Sequence, residues 1–188
     1  MKRLPTALLM VLLGSLVTAA HAESELYGGM GIGFSTVKVD KFDLEDSALA
    51  ARGFLGFRYG RFVGLEAGYV DFGKIKDQVM VAPYQPSATY SVDTTGYDLS
   101  LVGRYPVNNE LAAFGRVGMI RWDSKARVDS IGYRASDDGS DLFWGLGLDY
   151  RGTDRISLRI EADAVDIEYA DSWWMLSTSI MYGFPFGR

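Results

Sequence analysis

From residue 25 onward the chain alternates between apolar and polar positions. The alternation runs through eight segments, near 25–36, 49–59, 62–71, 91–105, 111–122, 142–150, 155–165 and 173–184. Each is at least about the 9–11 residues that a tilted strand needs to cross a hydrocarbon layer. A period of two places successive side chains on opposite faces, so each segment predicts a strand with one apolar face. The connections alternate in length. Gly60-Arg61, Pro106-Val107-Asn108-Asn109-Glu110 and Arg151-Gly152-Thr153-Asp154 read as tight turns, and between them lie polar stretches at 37–48, 72–90, 123–141 and the shorter 166–172. An even number of antiparallel strands, with short turns at one end and long loops at the other, predicts an all-β fold. It is an eight-stranded antiparallel up-and-down transmembrane β-barrel with its short turns and chain ends on the periplasmic side.

One face of these strands carries Leu49, Leu55 and Phe57; Leu65 and Ala67; Leu99 and Leu101; Leu146 and Leu148; Leu158 and Ile160; Leu176 and Ile180. Aromatic residues on the same parity gather at strand ends: Tyr59, Tyr69, Tyr97, Tyr105, Trp144, Tyr150, Trp174, Tyr182 and Phe184. This is the pattern of a lipid-facing band between two interfacial girdles. The opposite face combines glycine with Arg52, Arg58, Glu66, Asp98, Arg104, Arg116, Asp149, Arg159, Glu161 and Asp163. Five arginines against five acids balance to zero, which predicts an interior closed by a hydrogen-bonded ionic network, with glycines on neighbouring strands leaving room for the guanidinium groups. A soluble barrel would show the reverse arrangement, with its charged face in water. Lysine placement argues against that, because Lys38, Lys41, Lys74, Lys76 and Lys125 all fall in predicted long loops and none on a strand face.

Composition narrows the picture further. With 48% hydrophobic residues, 13% aromatics and 22 glycines, the chain is rich for a soluble exported domain. Lys2 and Arg3 precede an apolar run over 4–17, and Ala20-His21-Ala22 offers a cleavage site, so 1–22 read as a signal peptide and 23–188 as one barrel domain. That run is too short for a membrane-spanning helix, which needs roughly 20 residues. Cysteine is absent and the single histidine, His21, lies in the expected signal. The expected mature chain then has no thiolate and no imidazole for nucleophilic catalysis, general base work or metal binding. Losing Lys2 and Arg3 with no acid leaves 17 basic against 24 acidic residues, net −7. Such a balance does not fit a nucleic-acid partner, which needs a basic stripe.

Gly53-Phe54-Leu55-Gly56-Phe57-Arg58-Tyr59, then Leu65-Glu66-Ala67-Gly68-Tyr69-Val70-Asp71-Phe72-Gly73, and later Ile156-Ser157-Leu158-Arg159-Ile160-Glu161 resemble the small outer-membrane β-barrel domain family that includes outer membrane proteins A and X. The resemblance extends over the expected mature chain. It implies a Gram-negative-type outer membrane and makes Glu66, Arg104, Arg116 and Glu161 candidates for an interior salt-bridge network that occludes the lumen. It also implies recognition by the barrel-insertion machinery through a terminal aromatic. Here the chain departs from the pattern, because Phe184-Pro185-Phe186 is followed by Gly187-Arg188. Since the sequence stops at Arg188, no peptidoglycan-binding domain is expected after the barrel.

Other motifs reduce to simpler readings. Asp137-Asp138-Gly139-Ser140-Asp141 has part of a calcium-loop pattern without the full spacing or the terminal Glu, and reads as an exposed loop tip. Gly28-Gly29-Met30-Gly31-Ile32-Gly33 lacks the helix and GK[ST] of a phosphate loop, and its alternate glycines suit a lumen face. No catalytic residue, cofactor or metal is expected. Within 72–90, Val79, Met80 and Tyr84 form an apolar set placed to contact an extracellular protein ligand or the lipopolysaccharide surface. Lys38, Lys41, Lys74, Lys76, Lys125 and Arg127 are placed for lipopolysaccharide phosphates. The expected function is an envelope-structural or adhesin-like surface role, with a narrow channel for ions or small solutes as the alternative, in contact with outer-membrane lipid.

Overall fold

The computed structural model of the protein describes residues 24–39, 44–79, 88–128, 133–166 and 172–185. They form β1 (Ser24–Val39), β2 (Leu44–Tyr59), β3 (Val63–Val79), β4 (Ala88–Pro106), β5 (Leu111–Val128), β6 (Tyr133–Arg151), β7 (Ile156–Asp166) and β8 (Ser172–Pro185). Every strand is antiparallel to the next, and β1 pairs with β8 to close the barrel. Closure follows from the alternation. Met30, Ile32, Leu49, Leu55, Leu99, Leu146, Ile160 and Leu176 point outward and are exposed. A sheet with such an outer face requires lipid as its solvent, and in lipid every backbone group must find a partner.

The strands outrun the segments that alternation marks. β4 and β6 each have 19 residues and β5 has 18. Consequently the described parts of 37–48, 72–90 and 123–141 are strand rather than loop, and the supposed loop tip at 137–141 lies inside β6. The hydropathy signal stops where the hydrocarbon stops, whereas the hydrogen-bond ladder continues through polar residues into water.

Gly73 marks where this extension separates from the barrel wall. Its φ is 83°, a register shift falls between Asp71 and Lys74, and Gly73 N–H donates to Asp71 Oδ1 at 2.9 Å. A Cβ here would sit 2.1 Å from the Leu49 carbonyl oxygen, so both the conformation and the space demand glycine. The last β2–β3 pair is Ala51 with Asp71, and beyond it β3 pairs with β4 only. The strands β3 to β6 therefore continue as a four-stranded sheet above the barrel. Among the described residues, β6 from Tyr133 to Asp141 pairs with β5 and has no partner on β7, whose ladder begins at Leu142 with Asp166.

The opposite end is tight. Asn108 Oδ1 accepts from the N–H groups of Glu110 and Leu111 at 2.9 and 2.7 Å, and Thr153 Oγ1 accepts from those of Arg155 and Ile156 at 3.3 and 3.0 Å. These side chains take the place of backbone partners in the turns that alternation predicted.

Candidate functional site

The inward positions meet in the middle of the barrel. Arg159, on β7, donates from Nε to Asp149 at 2.8 Å and from a terminal nitrogen to Glu66 at 2.7 Å. Arg116, on β5, makes a fork with Asp163, Nε to Oδ1 at 2.9 Å and a terminal nitrogen to Oδ2 at 2.7 Å, and lies 3.2 Å from Glu161. Arg52, on β2, reaches Glu161 at 2.7 Å, Asp98 at 3.3 Å and Glu66 at 3.6 Å. Six strands contribute, and Glu66 is 0% exposed and Arg159 1%. Removing these charges from water is costly, so the network does less for net stability than for fixing one arrangement of the lumen.

Two predicted members stand apart from this centre. Arg58 pairs with Glu25 at 2.5 Å near the short-turn end, and Arg104 lies 3.5 Å from Asp149 without a hydrogen bond from its Nε. The expected balance of five against five is therefore not how the charges group. The central cluster has Arg52, Arg116 and Arg159 facing Glu66, Asp98, Asp149, Glu161 and Asp163.

Glycine plays a different part from the one expected. Gly56 lies under the Tyr27 ring, Gly29 under Phe54 and Gly147 under Phe114, where an added Cβ would come within 2.3, 2.5 and 2.6 Å of those rings. Gly68 and Gly145 likewise make room for Asp98 and Asp163. The arginines then stack on the rings. Arg159 lies 4.1 Å from the centroid of Phe114, Arg52 4.6 Å from that of Phe54 and Arg116 4.6 Å from that of Phe143. Each guanidinium thus has carboxylates in its plane and an aromatic face against it. Tyr27, whose hydroxyl donates to Glu66 at 2.7 Å, completes the set. Sequence reasoning missed Tyr27, Glu25, Phe54, Phe114 and Phe143, although all share the inward parity of the charged residues and were legible on that ground.

The lumen is also less polar than its charges suggested. On the long-strand side of the ionic layer, Ala50, Val70, Phe72, Ile120, Phe143, Val165, Trp173 and Met175 form a buried apolar cluster, with Trp122 packed against it. Phe72 and Trp173 have ring centroids 4.2 Å apart. A cavity of about 20 Å³ separates this cap from Arg52, Asp98, Arg116 and Asp163, room for one or two water molecules.

On the outside, Tyr69 stands beside Tyr97 with centroids 5.1 Å apart, and Trp144 beside Trp174 at 5.6 Å. Ala164, between those two indoles in the register, is only 7% exposed although its parity faces outward. At the short-turn end lie Tyr59, Tyr105 and Tyr150, and Tyr182 with Phe184 at 4.9 Å. Val79 ends β3, while Met80 and Tyr84 lie outside the described residues.

A closed eight-stranded barrel with an apolar outer band, aromatic rows at both ends and a filled interior defines an integral outer-membrane protein. The chain belongs to the outer membrane protein beta-barrel domain family, whose model matches residues 6–184, and the outer membrane is its location. It is 26% identical over 210 residues to outer membrane protein A of Serratia marcescens, covering 98% of this chain and 56% of that protein, so it spans about half the relative's length. Similar solved structures include Ail, the attachment invasion locus protein of Yersinia pestis, in complex with the heparin analogue sucrose octasulfate. Its TM-score is 0.65 at 15% identity, over 86% of this chain and 99% of that one. Neisserial surface protein A gives 0.64 at 13% identity, over 85% and 97%. OprG of Pseudomonas aeruginosa gives 0.62 at 14%, over 87% and 97%. At these identities the likeness is one of fold.

Proposed function

We propose that the barrel is a plugged anchor and that the protein acts in envelope structure or surface interaction through the extracellular sheet and loops it carries. The observation behind this reading is the double closure of the lumen. An apolar cap lies over an ionic layer, and the space between them takes only one or two waters. The extension of β3 to β6 past the aromatic rows supports the second half of the reading, with an edge on β6 that has no neighbouring strand among the described residues. Lys74, Lys125 and Arg127 on this extension suit lipopolysaccharide phosphates, and the apolar set Val79, Met80 and Tyr84 suits a protein ligand. Sulfated glycans are a second ligand class to try, given the heparin analogue in the Ail complex. Export by a signal peptide cleaved before Glu23, insertion by the barrel-assembly machinery and the absence of enzymatic chemistry belong to the same reading. The last rests on the lack of cysteine and histidine in 23–188.

The test is single-channel conductance of the refolded protein in a planar bilayer, with folding checked by its heat-modifiable gel shift. Wild type should be silent and Glu66→Ala leaky. Discrete, reproducible openings in wild type would replace the anchor with a narrow channel whose lumen charges set selectivity.

A further inference from the structure

At the short-turn end, Arg58, Arg104, Arg151 and Arg155 line a vestibule whose cavity is about 30 Å³, somewhat larger than the gap under the apolar cap. The carboxylates beside them are largely committed. Glu25 accepts from Arg58 at 2.5 Å, and both oxygens of Asp149 accept from Arg159 deeper in the lumen, at 2.8 and 3.3 Å. Arg104 is left with a buried Nε that makes no hydrogen bond, 3.5 Å from an Asp149 oxygen that is already an acceptor. Arg155 reaches a neutral phenol, the hydroxyl of Tyr182, at 3.3 Å. Asp154 is the remaining acid.

We propose that this vestibule is an oxyanion site for the phosphate group, presented either as the free ion or as a phospholipid headgroup. Guanidinium forks engage phosphate oxygens in pairs, and their surplus here supplies the field that draws an anion in. The geometry favours a tetrahedral ligand over a planar carboxylate. Arg104 comes from β4, while Arg151 and Arg155 flank the β6–β7 turn, so the donors approach from two sides. An anion with oxygens in several directions meets Arg104 on one wall and Arg151 on the other. The floor is closed by Tyr27 and Met181, so the site holds its ligand and does not pass it through. Arg155 against Tyr182 also sets one donor beside the aromatic row at headgroup height, which brings the lipid source within reach.

The experiment is a calorimetric titration of inorganic phosphate into protein refolded in a maltoside detergent, which carries no phosphate. Saturable binding is expected, weakened at least tenfold by Arg104→Gln and by Arg151→Gln. It should be unchanged by Arg61→Gln, an exposed turn arginine outside the vestibule. Arg151 is exposed at a strand end, so its variant keeps the test valid should Arg104→Gln fail the gel-shift check for folding. Repeating the titration in phosphatidylglycerol nanodiscs separates the sources. An affinity at least tenfold weaker there means that headgroups already occupy the site, and an equal affinity means that the free ion is the ligand. Absence of saturable binding in the maltoside overturns the proposal. So does binding that is indifferent to Arg104→Gln and Arg151→Gln, or equally lost in Arg61→Gln.

Discussion

Replacing Arg159 by alanine removes the most connected side chain of the lumen. It strips Asp149 of donors at 2.8 and 3.3 Å and Glu66 of one at 2.7 Å, and takes a guanidinium from the face of Phe114. Glu66, at 0% exposure, has no water to turn to. Breaking one partner out of a buried ion pair costs about 3–5 kcal/mol, and the lost ring contact belongs to the same deletion and does not add in full. The expected loss is therefore about 4 kcal/mol, close to three decades in the unfolding equilibrium constant. Arg121→Ala is the control. Its side chain is 77% exposed and 3.8 Å from Asp138, and exposed pairs of this kind contribute about 0–1 kcal/mol. The assay is urea unfolding of protein folded into vesicles, followed by tryptophan fluorescence and by the gel shift. A double-mutant cycle then identifies the cause. Arg159→Ala combined with Asp149→Asn should recover much of the loss, because the carboxylate that loses both its donors is then neutral. An Arg159→Ala loss below about 1 kcal/mol, or additive behaviour in the cycle, would refute a cost that comes from uncompensated burial.

Three further outcomes follow from the same geometry. Tyr27→Phe deletes a 2.7 Å hydrogen bond to Glu66 and should destabilise by about 1.5–3 kcal/mol in the same assay. Gly147→Val places atoms where even a Cβ meets the Ile160 carbonyl at 2.3 Å and the Phe114 ring at 2.6 Å, so folded yield by gel shift should collapse; Gly53→Ala, with nothing within 4 Å, should refold like wild type. Gly73→Ala forces a side chain into φ 83° against the Leu49 carbonyl. Amide exchange should then accelerate in β3 beyond Lys74 while the barrel wall stays protected.

The wall of this barrel was readable because lipid makes the outer face uniform. From Leu49 through Tyr59 on β2 and Leu142 through Tyr150 on β6, every second residue of the outward face is apolar or aromatic apart from Gly53, and the structure keeps that parity. The lumen was half readable. Its charges stand out against a glycine background, but Phe54, Phe114 and Phe143 look in sequence like more of the lipid band, and only their parity separates them from it. Strand ends were the least readable feature. Above the hydrocarbon a strand no longer needs an apolar face, so stretches such as Tyr133–Asp141 carry polar residues on both faces and resemble loop.

The layering of the interior connects these readings. A charge network alone would close the lumen only as long as its pairs hold, and ion pairs near water exchange partners readily. Here the cap of Phe72, Phe143, Trp173 and Met175 excludes water on one side, and Tyr27, Phe54 and Met181 do so on the other. Between those layers the effective dielectric constant falls, so each pair among Arg52, Arg116, Arg159 and their acids is stronger and its rupture dearer. The apolar residues that alternation underestimated are thus what turn a set of lumen charges into a lasting closure. Where that shielding ends, at Arg104 and Arg58, the charges meet the periplasmic mouth and become available to a ligand.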